Sequence, residues 1–155
     1  MSSSMNFNPE AFLDMPVDAP FEKRPPLPVR DYTATILEVT AAQWMSKDQS
    51  KSGMKYDLQL ELVVPDDVQA SLGLKMPTFK LKDSIMLDMN EAGGLDTAPG
   101  KNRQLRVYRE ALGMNKPGVA FRARDMQGKL ITVRLKHEDW QGTPQERVDT
   151  VAALG

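Results

Sequence analysis

Two tryptophans lie in polar stretches of the sequence, where burying an indole is difficult. Trp140 stands in HEDWQGTP, between acidic residues and a Gly-containing turn, and Trp44 directly precedes the polar stretch MSKDQSKSG. An exposed indole offers an apolar π-face on which a planar group stacks. The structural alternative is that each ring packs over an end of the fold or against a neighbouring subunit. The two indoles are therefore the first candidates for a binding site.

Positive charge is concentrated in the second half of the chain. Residues 101–136 hold ten of the 20 Lys and Arg residues and only two acidic residues, although the formal net charge is −1. This asymmetry suits a polyanionic ligand, whereas a solvated helix face would account for about half of it. Further cations project from predicted strands and from the loop after Trp44. The candidate cations are Lys47, Lys51, Lys55, Lys80, Lys82, Arg103, Arg106, Arg122, Arg134 and Lys136.

Groups able to carry catalysis are few. The chain has no Cys, which excludes thiolate nucleophiles and disulfides, and its one His, His137, reads as a strand-end residue. GLDTAPGKN lacks the Gly spacing and the Ser or Thr of a phosphate-binding loop. A magnesium site is the remaining alternative, with an ordinary acidic loop as the more common explanation; its carboxylates would be Asp83, Asp88, Glu91 and Asp96. We therefore predict no catalytic residues, no metal and no cofactor.

Alternation of apolar and polar residues predicts five strands. The clearest period-two pattern runs from Tyr56 to Val64, and Asp83 is the one residue that breaks the inward pattern of the third strand. The predicted strands are residues 31–43, 56–64, 79–87, 131–136 and 145–154.

One helix is predicted between the third and fourth strands. In RQLRVYREAL the apolar residues share one face, Asn102 is a candidate cap at the start, and Gly113 ends the helix.

The order strand-strand-strand-helix-strand-strand is that of the OB-fold, so we predict an all-β domain with one helix, built as a five-stranded OB-fold barrel. Other small barrels and an α+β sandwich share parts of this order. In an OB-fold the loop between the first two strands and the loop between the last two flank the ligand face. Trp44 falls at the start of the first loop and Trp140 in the middle of the second, so both indoles are expected beside one groove.

Residues 1–28 differ in composition from the predicted domain, residues 29–155. Six prolines and scattered acidic residues prevent a regular helix or strand, which predicts an extended or partly disordered arm. Its Phe7, Phe12, Leu13 and Phe21 are candidates for docking on the domain or on another subunit of a homo-oligomer. The apolar runs are too short to span a bilayer, so we expect no membrane association and a cytoplasmic location.

Three segments resemble a known protein family. Pro28 with the following Asp-Tyr-Thr-Ala, then GKNRQLRVYREALGMNKPG, then GKLITVRLKHED with a short loop and RVDTV, are similar to the small phage-encoded single-stranded-DNA-binding proteins of replication and recombination modules. The resemblance covers about residues 28–150. It implies an OB-fold protein that coats single-stranded DNA with little sequence preference, in the host cytoplasm. The chain ends in VAALG rather than in the acidic, Phe-tipped tail by which bacterial counterparts recruit replication or recombination proteins, and the acidic arm is the substitute that the sequence offers.

The leading hypothesis is a non-enzymatic binder of single-stranded DNA. Bases would stack on Trp44 and Trp140, helped by Tyr56, while Lys and Arg neutralise phosphates. The second hypothesis is a protein-interaction or assembly module that docks through the arm and the aromatic loops. The third is a metal-dependent nuclease.

Overall fold

The computed structural model describes residues 8–155, so Phe7 lies outside the described part. It is mostly β-structure with a few short helices. The elements in chain order are α1 (Pro9–Leu13), β1 (Asp31–Met45), β2 (Ser52–Val63), α2 (Asp66–Leu72), β3 (Thr78–Met86), α3 (Arg103–Ala111), a 3₁₀ turn (Ala123–Met126), β4 (Leu130–Trp140) and β5 (Thr143–Ala152).

The five strands form a single antiparallel sheet in the order β3-β2-β1-β4-β5. This confirms the predicted five-stranded β-structure. The alternation that predicted it has a physical origin, because one face of each strand is buried. The core side chains of that inner face include Tyr32, Ile36, Leu60, Ile85, Ile131 and Leu135.

β1 is long, and it pairs with two strands, β2 and β4. Its first residues, 31–35, pair with β4, and β2 pairs along it from Ala34 to the tip. A bulge between Ile36 and Glu38 inserts one extra residue. Because an extra residue reverses which side chains face the core, Tyr32 and Ile36 point inward before the bulge while Trp44 points outward after it.

Sheet closure was expected and is not confirmed. β3 and β5 are the two edges of the sheet, and no pairing joins them among the described residues. Two other elements lie over the gap. α3 covers one end, where its Tyr108 contacts Asp83 of β3, and a segment of the arm covers the other end.

Asp83 holds α3 against the sheet. It lies on the inner face of β3 between Leu81 and Ile85, and the Tyr108 hydroxyl donates a short hydrogen bond to its carboxylate. Burial raises the pKa of Asp83, and the Tyr108 hydrogen bond opposes this rise. The carboxylate that interrupts the inward pattern is therefore the polar partner of a buried tyrosine, as burial of a phenol requires.

Residues 23–28 of the arm, which we call the strap, are fixed to the domain. Leu27 is fully buried, and its backbone N–H and the Arg24 guanidinium both donate to Glu146 of β5, at 3.1 Å and 2.7 Å. The Arg24 guanidinium also lies 4.8 Å from the ring centroid of Phe79 in β3, so it contacts both edge strands. His137 Nε2 donates to Leu27 O at 2.6 Å, since a carbonyl can only accept.

The rest of the described arm is exposed. Phe12, Leu13 and Phe21 have 55%, 79% and 94% of their surface accessible. The prediction that no helix forms in the arm is wrong for one turn, because Asn8 caps α1 by accepting from Glu10 N at 3.1 Å. The strap is thus a segment of the arm that docks on the domain.

Two further expectations need correction. The sequence predicted one helix, yet α2 forms after β2, with Asp66 and Asp67 in its first turn and Gly73 at its end. Asn102 stands at the N-cap position of α3 as expected, but its side chain makes no capping hydrogen bond; it accepts instead from Asp88 N at 2.8 Å and so ties together the ends of the loop between β3 and α3. Among residues 8–155 no helix has the length and apolar character needed to cross a bilayer.

Candidate nucleic-acid interface

Trp140 is displayed at the tip of the β4–β5 hairpin. It is the last residue of β4 rather than a loop residue, and it pairs with Thr143 across a two-residue turn. Gln141 and Gly142 form that turn with φ values of 51° and 78°, the positive pair that tight hairpins require. The Trp140 side chain is 55% exposed. A large, rigid, accessible aromatic surface at a hairpin tip is suited to stacking.

Trp44 has a different environment. It also lies in a strand, where it pairs with Gly53, and its ring lies across that glycine: an added Cβ there would come within 2.7 Å of Trp44 Nε1. The ring is partly buried, and Nε1 is buried without an acceptor among residues 8–155. Trp44 therefore packs on its own hairpin. This is a structural role, and it leaves less of the ring for a ligand than Trp140 offers.

The strand register does not bring the two indoles together. Trp44 lies near the end of β1, whereas Trp140 is reached only after β4 has continued past Arg134, the partner of Asp31 at the start of β1. Both rings lie on the outer face of the sheet, but at opposite ends of it along the strand direction.

The outer face of the β4–β5 ladder combines Trp140 with cations. Val133 and Leu135 are buried, so Arg134, Lys136 and Trp140 alternate with them and point outward. Lys136 pairs across the ladder with Arg147 of β5, so two positive side chains stand side by side.

Acidic neighbours neutralise this face only in part. Arg134 bonds Asp31 at 3.2 Å, and Arg147 Nε lies 3.9 Å from Glu138 Oε1, beyond hydrogen-bonding distance. No ion pair of Lys136 is found among the described residues.

The predicted cations of β2 and β3 lie on the outer face as well. Lys80 and Lys82 are exposed on either side of the inward Leu81, opposite Glu61 and Gln59 in β2. Lys82 has an amide directly across from it, but Asp57 lies close enough for the charge of Lys82 to help lower the pKa of that carboxyl, so Lys82 is partly neutralised.

Lys55 is less available than these two lysines. It pairs with Asp57 at 3.2 Å, and the pKa of Asp57 lies below its ordinary value because Ser84 and Lys55 donate to it.

The cations of the β4–β5 ladder lie within electrostatic reach of β3, across the gap between β3 and β5. The positive charges of Arg147 and Lys136 act on the buried Asp83 of β3 and oppose the rise of its pKa. The cations of β4 and β5 are therefore close enough to β3 to interact with it electrostatically. Arg147 was missed by sequence reasoning, since only the pairing register reveals that it stands beside Lys136.

The other residues predicted for the site do not lie on the outer face of the β4–β5 ladder, or they already contact another part of the chain. Arg106 forms an i,i+4 pair with Glu110 at 3.7 Å, and Arg122 is exposed before the 3₁₀ turn. Arg103 lines a groove of about 280 Å³ between α3 and the sheet. Tyr56 pairs with Ile85 and packs against the core, on the face opposite to Trp44.

Lys47 and Lys51 are exposed in the loop that joins β1 to β2. That loop is held by Asp48, whose carboxylate accepts from Ser46 Oγ and Ser50 Oγ, each at 2.7 Å, and from Ser50 N at 3.0 Å. These hydrogen bonds favour the ionised form and lower the pKa of Asp48 to about 2.

The acidic residues considered for magnesium do not converge. Within residues 8–155 no group of three or more His, Asp or Glu side chains is arranged to hold a metal ion. Asp88 and Asp96 are used within their own loop, where Asp88 accepts from Asn102 N at 2.7 Å and Asp96 from Ala98 N at 3.0 Å.

Comparison with known proteins gives no family assignment, since no family model matches the chain and no curated protein matches it.

Proposed function

We propose that the chain is a non-enzymatic, sequence-nonspecific binder of single-stranded DNA built on an OB-fold. The strand order β3-β2-β1-β4-β5, with α3 entering between β3 and β4 and lying over the gap between the edge strands, supports this fold. Closure in this proposal comes from α3 and the strap rather than from direct pairing of β3 with β5.

The observation that carries the proposal is the composition of one face. Trp140, 55% exposed, shares the outer side of the β4–β5 ladder with three cations and one carboxylate, namely Arg134, Lys136, Arg147 and Glu138. An accessible aromatic ring with cations at strand spacing meets the two needs of a single-stranded polynucleotide, a stacking surface and neutralisation of phosphates.

In this mechanism the strand follows the outward cations on the two sides of the β3–β5 gap, those of β3 on one side and those of the β4–β5 ladder on the other. One base stacks on Trp140, while Lys136, Arg147, Lys80 and Lys82 neutralise successive phosphates. Trp44 contributes less, because its ring packs on Gly53. Stacking and charge neutralisation do not read base edges, so binding depends little on sequence. We propose coating of DNA during phage replication or recombination as the biological role.

A gel-shift assay tests the function. Labelled oligo-dT and a duplex of the same length are each incubated with the full chain, with and without Mg²⁺. We expect a shift of the single strand at lower protein concentration than of the duplex, no degradation, and quenching of tryptophan fluorescence. Log affinity should fall with log salt by about 0.7 for each phosphate contacted. Equal affinity for single strand and duplex would contradict the proposal, and degradation only in Mg²⁺ would point to a nuclease.

One observation favours a second candidate, a protein-interaction module. Residues 8–22 present exposed apolar side chains, Phe12, Leu13, Met15, Val17 and Phe21, interspersed with acidic residues. A pull-down with a peptide of residues 8–22, compared with the same peptide in which Phe12 and Phe21 are replaced by Ser, tests it. Retention of a replication or recombination protein by the first peptide alone would support this function.

A further inference from the structure

A groove runs between the strap and β5 at the end of the sheet where Trp140 lies. Its volume is about 500 Å³, within the range of roughly 300–1,000 Å³ that is usual for small-molecule sites. Thr143, the cross-strand partner of Trp140, forms part of its wall. The groove and the exposed indole are therefore neighbours.

The groove has an excess of positive charge. Three cations and one carboxylate line it, and the carboxylate, Glu146, is already paired with Arg24. The other two cations of the groove are Lys23 and Arg147. Lys23 Nζ donates to Thr143 Oγ1 at 2.9 Å, which uses one of its three N–H donors. Arg147 approaches Glu138 no closer than 3.9 Å. Both cations thus keep donors for an anionic group.

The other lining groups are suited to a base and a sugar. Pro26, Leu81 and Pro144 supply apolar surface, and Gln145 supplies an amide that both donates and accepts hydrogen bonds. Apolar surface beside cations with unused donors is the combination that a nucleotide requires, since its base is planar and its phosphate anionic.

We propose that this groove is a nucleotide subsite, in which Lys23 and Arg147 bind phosphate and the base lies against Pro26 and Leu81. The inference rests on the proposed function and extends it, because it makes the strap part of the DNA path and adds Lys23 and Gln145 to the site, beside Arg147. The strand would leave the groove past Thr143 and reach Trp140 with its next base.

The first experiment uses the mononucleotide dTMP on the full chain, followed by amide NMR. We expect shifts at Lys23, Thr143, Gln145 and Arg147, and their loss in the double variant Lys23→Ala, Arg147→Ala. The matched control, Lys75→Ala with Lys116→Ala, removes the same charge from exposed positions elsewhere. It should keep the shifts.

The second experiment measures oligo-dT affinity against salt. The Lys23→Ala, Arg147→Ala variant should lose two phosphate contacts, so its slope of log affinity against log salt should be shallower by about 1.4. The Lys75, Lys116 control should keep the wild-type slope. The charge-conserving variant Lys23→Arg, Arg147→Lys should keep most of it, which separates a charge effect from damage to the strap.

The outcomes distinguish the two proposals. If oligo-dT binds, but the groove variant loses only the one contact that Arg147 makes in the proposed function, a slope change of about 0.7, and dTMP shifts other residues, the subsite is refuted and DNA binding stands. If oligo-dT fails to bind while dTMP shifts the groove, DNA coating is refuted and the nucleotide subsite stands. If residues 8–22, added as an acidic peptide, shift the groove while dTMP does not, the groove is a peptide site and the proposal fails.

Discussion

The two hairpins that end in tryptophan place the same side chain in opposite environments. In β1–β2 the Trp44 ring lies on Gly53 with its Nε1 buried, whereas in β4–β5 the Trp140 ring is 55% exposed beside a two-residue turn. Both residues lie on the outer face of the sheet. Residue type and position in the hairpin are therefore insufficient to identify a stacking surface, and the residue across the ladder makes the difference.

That cross-strand residue acts through its size. Gly53 has no side chain, so the indole of Trp44 can settle on the backbone of β2. Thr143, opposite Trp140, carries a branched side chain that is itself engaged by Lys23. We infer that the first hairpin uses its tryptophan for its own stability, and that the second leaves its tryptophan to a ligand.

The largest expected effect separates these two roles directly. Trp140→Ala should weaken oligo-dT binding by about 1–3 kcal/mol, or roughly 5- to 150-fold, because one stacked base is lost. Its unfolding free energy should change by less than about 0.5 kcal/mol, as for an exposed residue. Fluorescence anisotropy and urea unfolding measure the two quantities.

Trp44→Ala is the matched control for that experiment. It should lower the unfolding free energy and change affinity less than Trp140→Ala does. If both variants lost the same affinity, the two tryptophans would have the same role and the contrast between the hairpins would be wrong.

The next effect concerns stability. Gly53→Ala should destabilise the chain by about 1–3 kcal/mol, because a Cβ would meet Trp44 Nε1 at 2.7 Å and the ring would have to move. Urea unfolding of the variant gives the value. A suitable control is Gly94→Ala, where a Cβ would lie 3.4 Å from Asn90 Nδ2.

A double-mutant cycle tests the cause of that loss. In a Trp44→Ala background the cost of Gly53→Ala should largely disappear, since there is no ring to displace. A cost that persisted unchanged would show that Gly53 is needed for a reason other than Trp44.

A smaller effect is expected at the turn of the second hairpin. Gly142 has φ of 78°, where an L-residue costs about 1 kcal/mol, so Gly142→Ala should lower the unfolding free energy by about that amount. Gly142→Asn should cost less, because Asn tolerates positive φ. Equal costs for the two variants would mean that the turn does not need this backbone conformation.

The strands were predictable from sequence because one face of each is buried, which leaves a period-two pattern. The orientation of Trp44 was not. Extending the inward series Tyr32, Ala34, Ile36 by twos would place Trp44 in the core, and only the bulge after Ile36 turns it outward. A bulge leaves no compositional mark in this stretch, so the pairing partner must be known before the face can be assigned.

Part of the candidate site was also predictable from the period-two pattern of the strands. Arg134, Lys136, Lys80 and Lys82 follow from alternation within their strands, and the sequence placed them on the outer face.

Arg147 and Lys23 did not follow from alternation. Arg147 joins the site through pairing with Lys136, across a ladder whose register shifts after Arg134. Lys23 belongs to a proline-rich segment without periodicity, which docks through the buried Leu27 and through contacts with residues of β3, β4 and β5. The contact of Lys23 with Thr143 joins residues 120 positions apart, and such a contact leaves no local pattern in the sequence.

The smallest expected effect is a difference between the two hairpins at low pH, where the Asp48 carboxylate becomes protonated. The pKa of Asp48 in the folded chain, about 2, lies below its ordinary value of 3.8, so the ionised carboxylate is the form that holds the β1–β2 loop. The contribution of ionised Asp48 to the unfolding free energy is complete above about pH 4, where Asp48 is also ionised in the unfolded chain. It is lost as pH falls through about 2. Amide NMR shifts of Lys47 and Ser50, followed from pH 5 to pH 1.5, should titrate with that low midpoint.

The amide shifts of the second hairpin provide an internal control for this titration. The turn residues Gln141 and Gly142 carry no ionisable side chain, so their amide shifts should not follow the Asp48 transition. Asp48→Asn should abolish the transition at Lys47 and Ser50 and leave Gln141 unaffected. A midpoint near 4 in the wild type would mean that the serine hydrogen bonds do not hold the loop, and Lys47 and Lys51 would then have no fixed position from which to bind a phosphate.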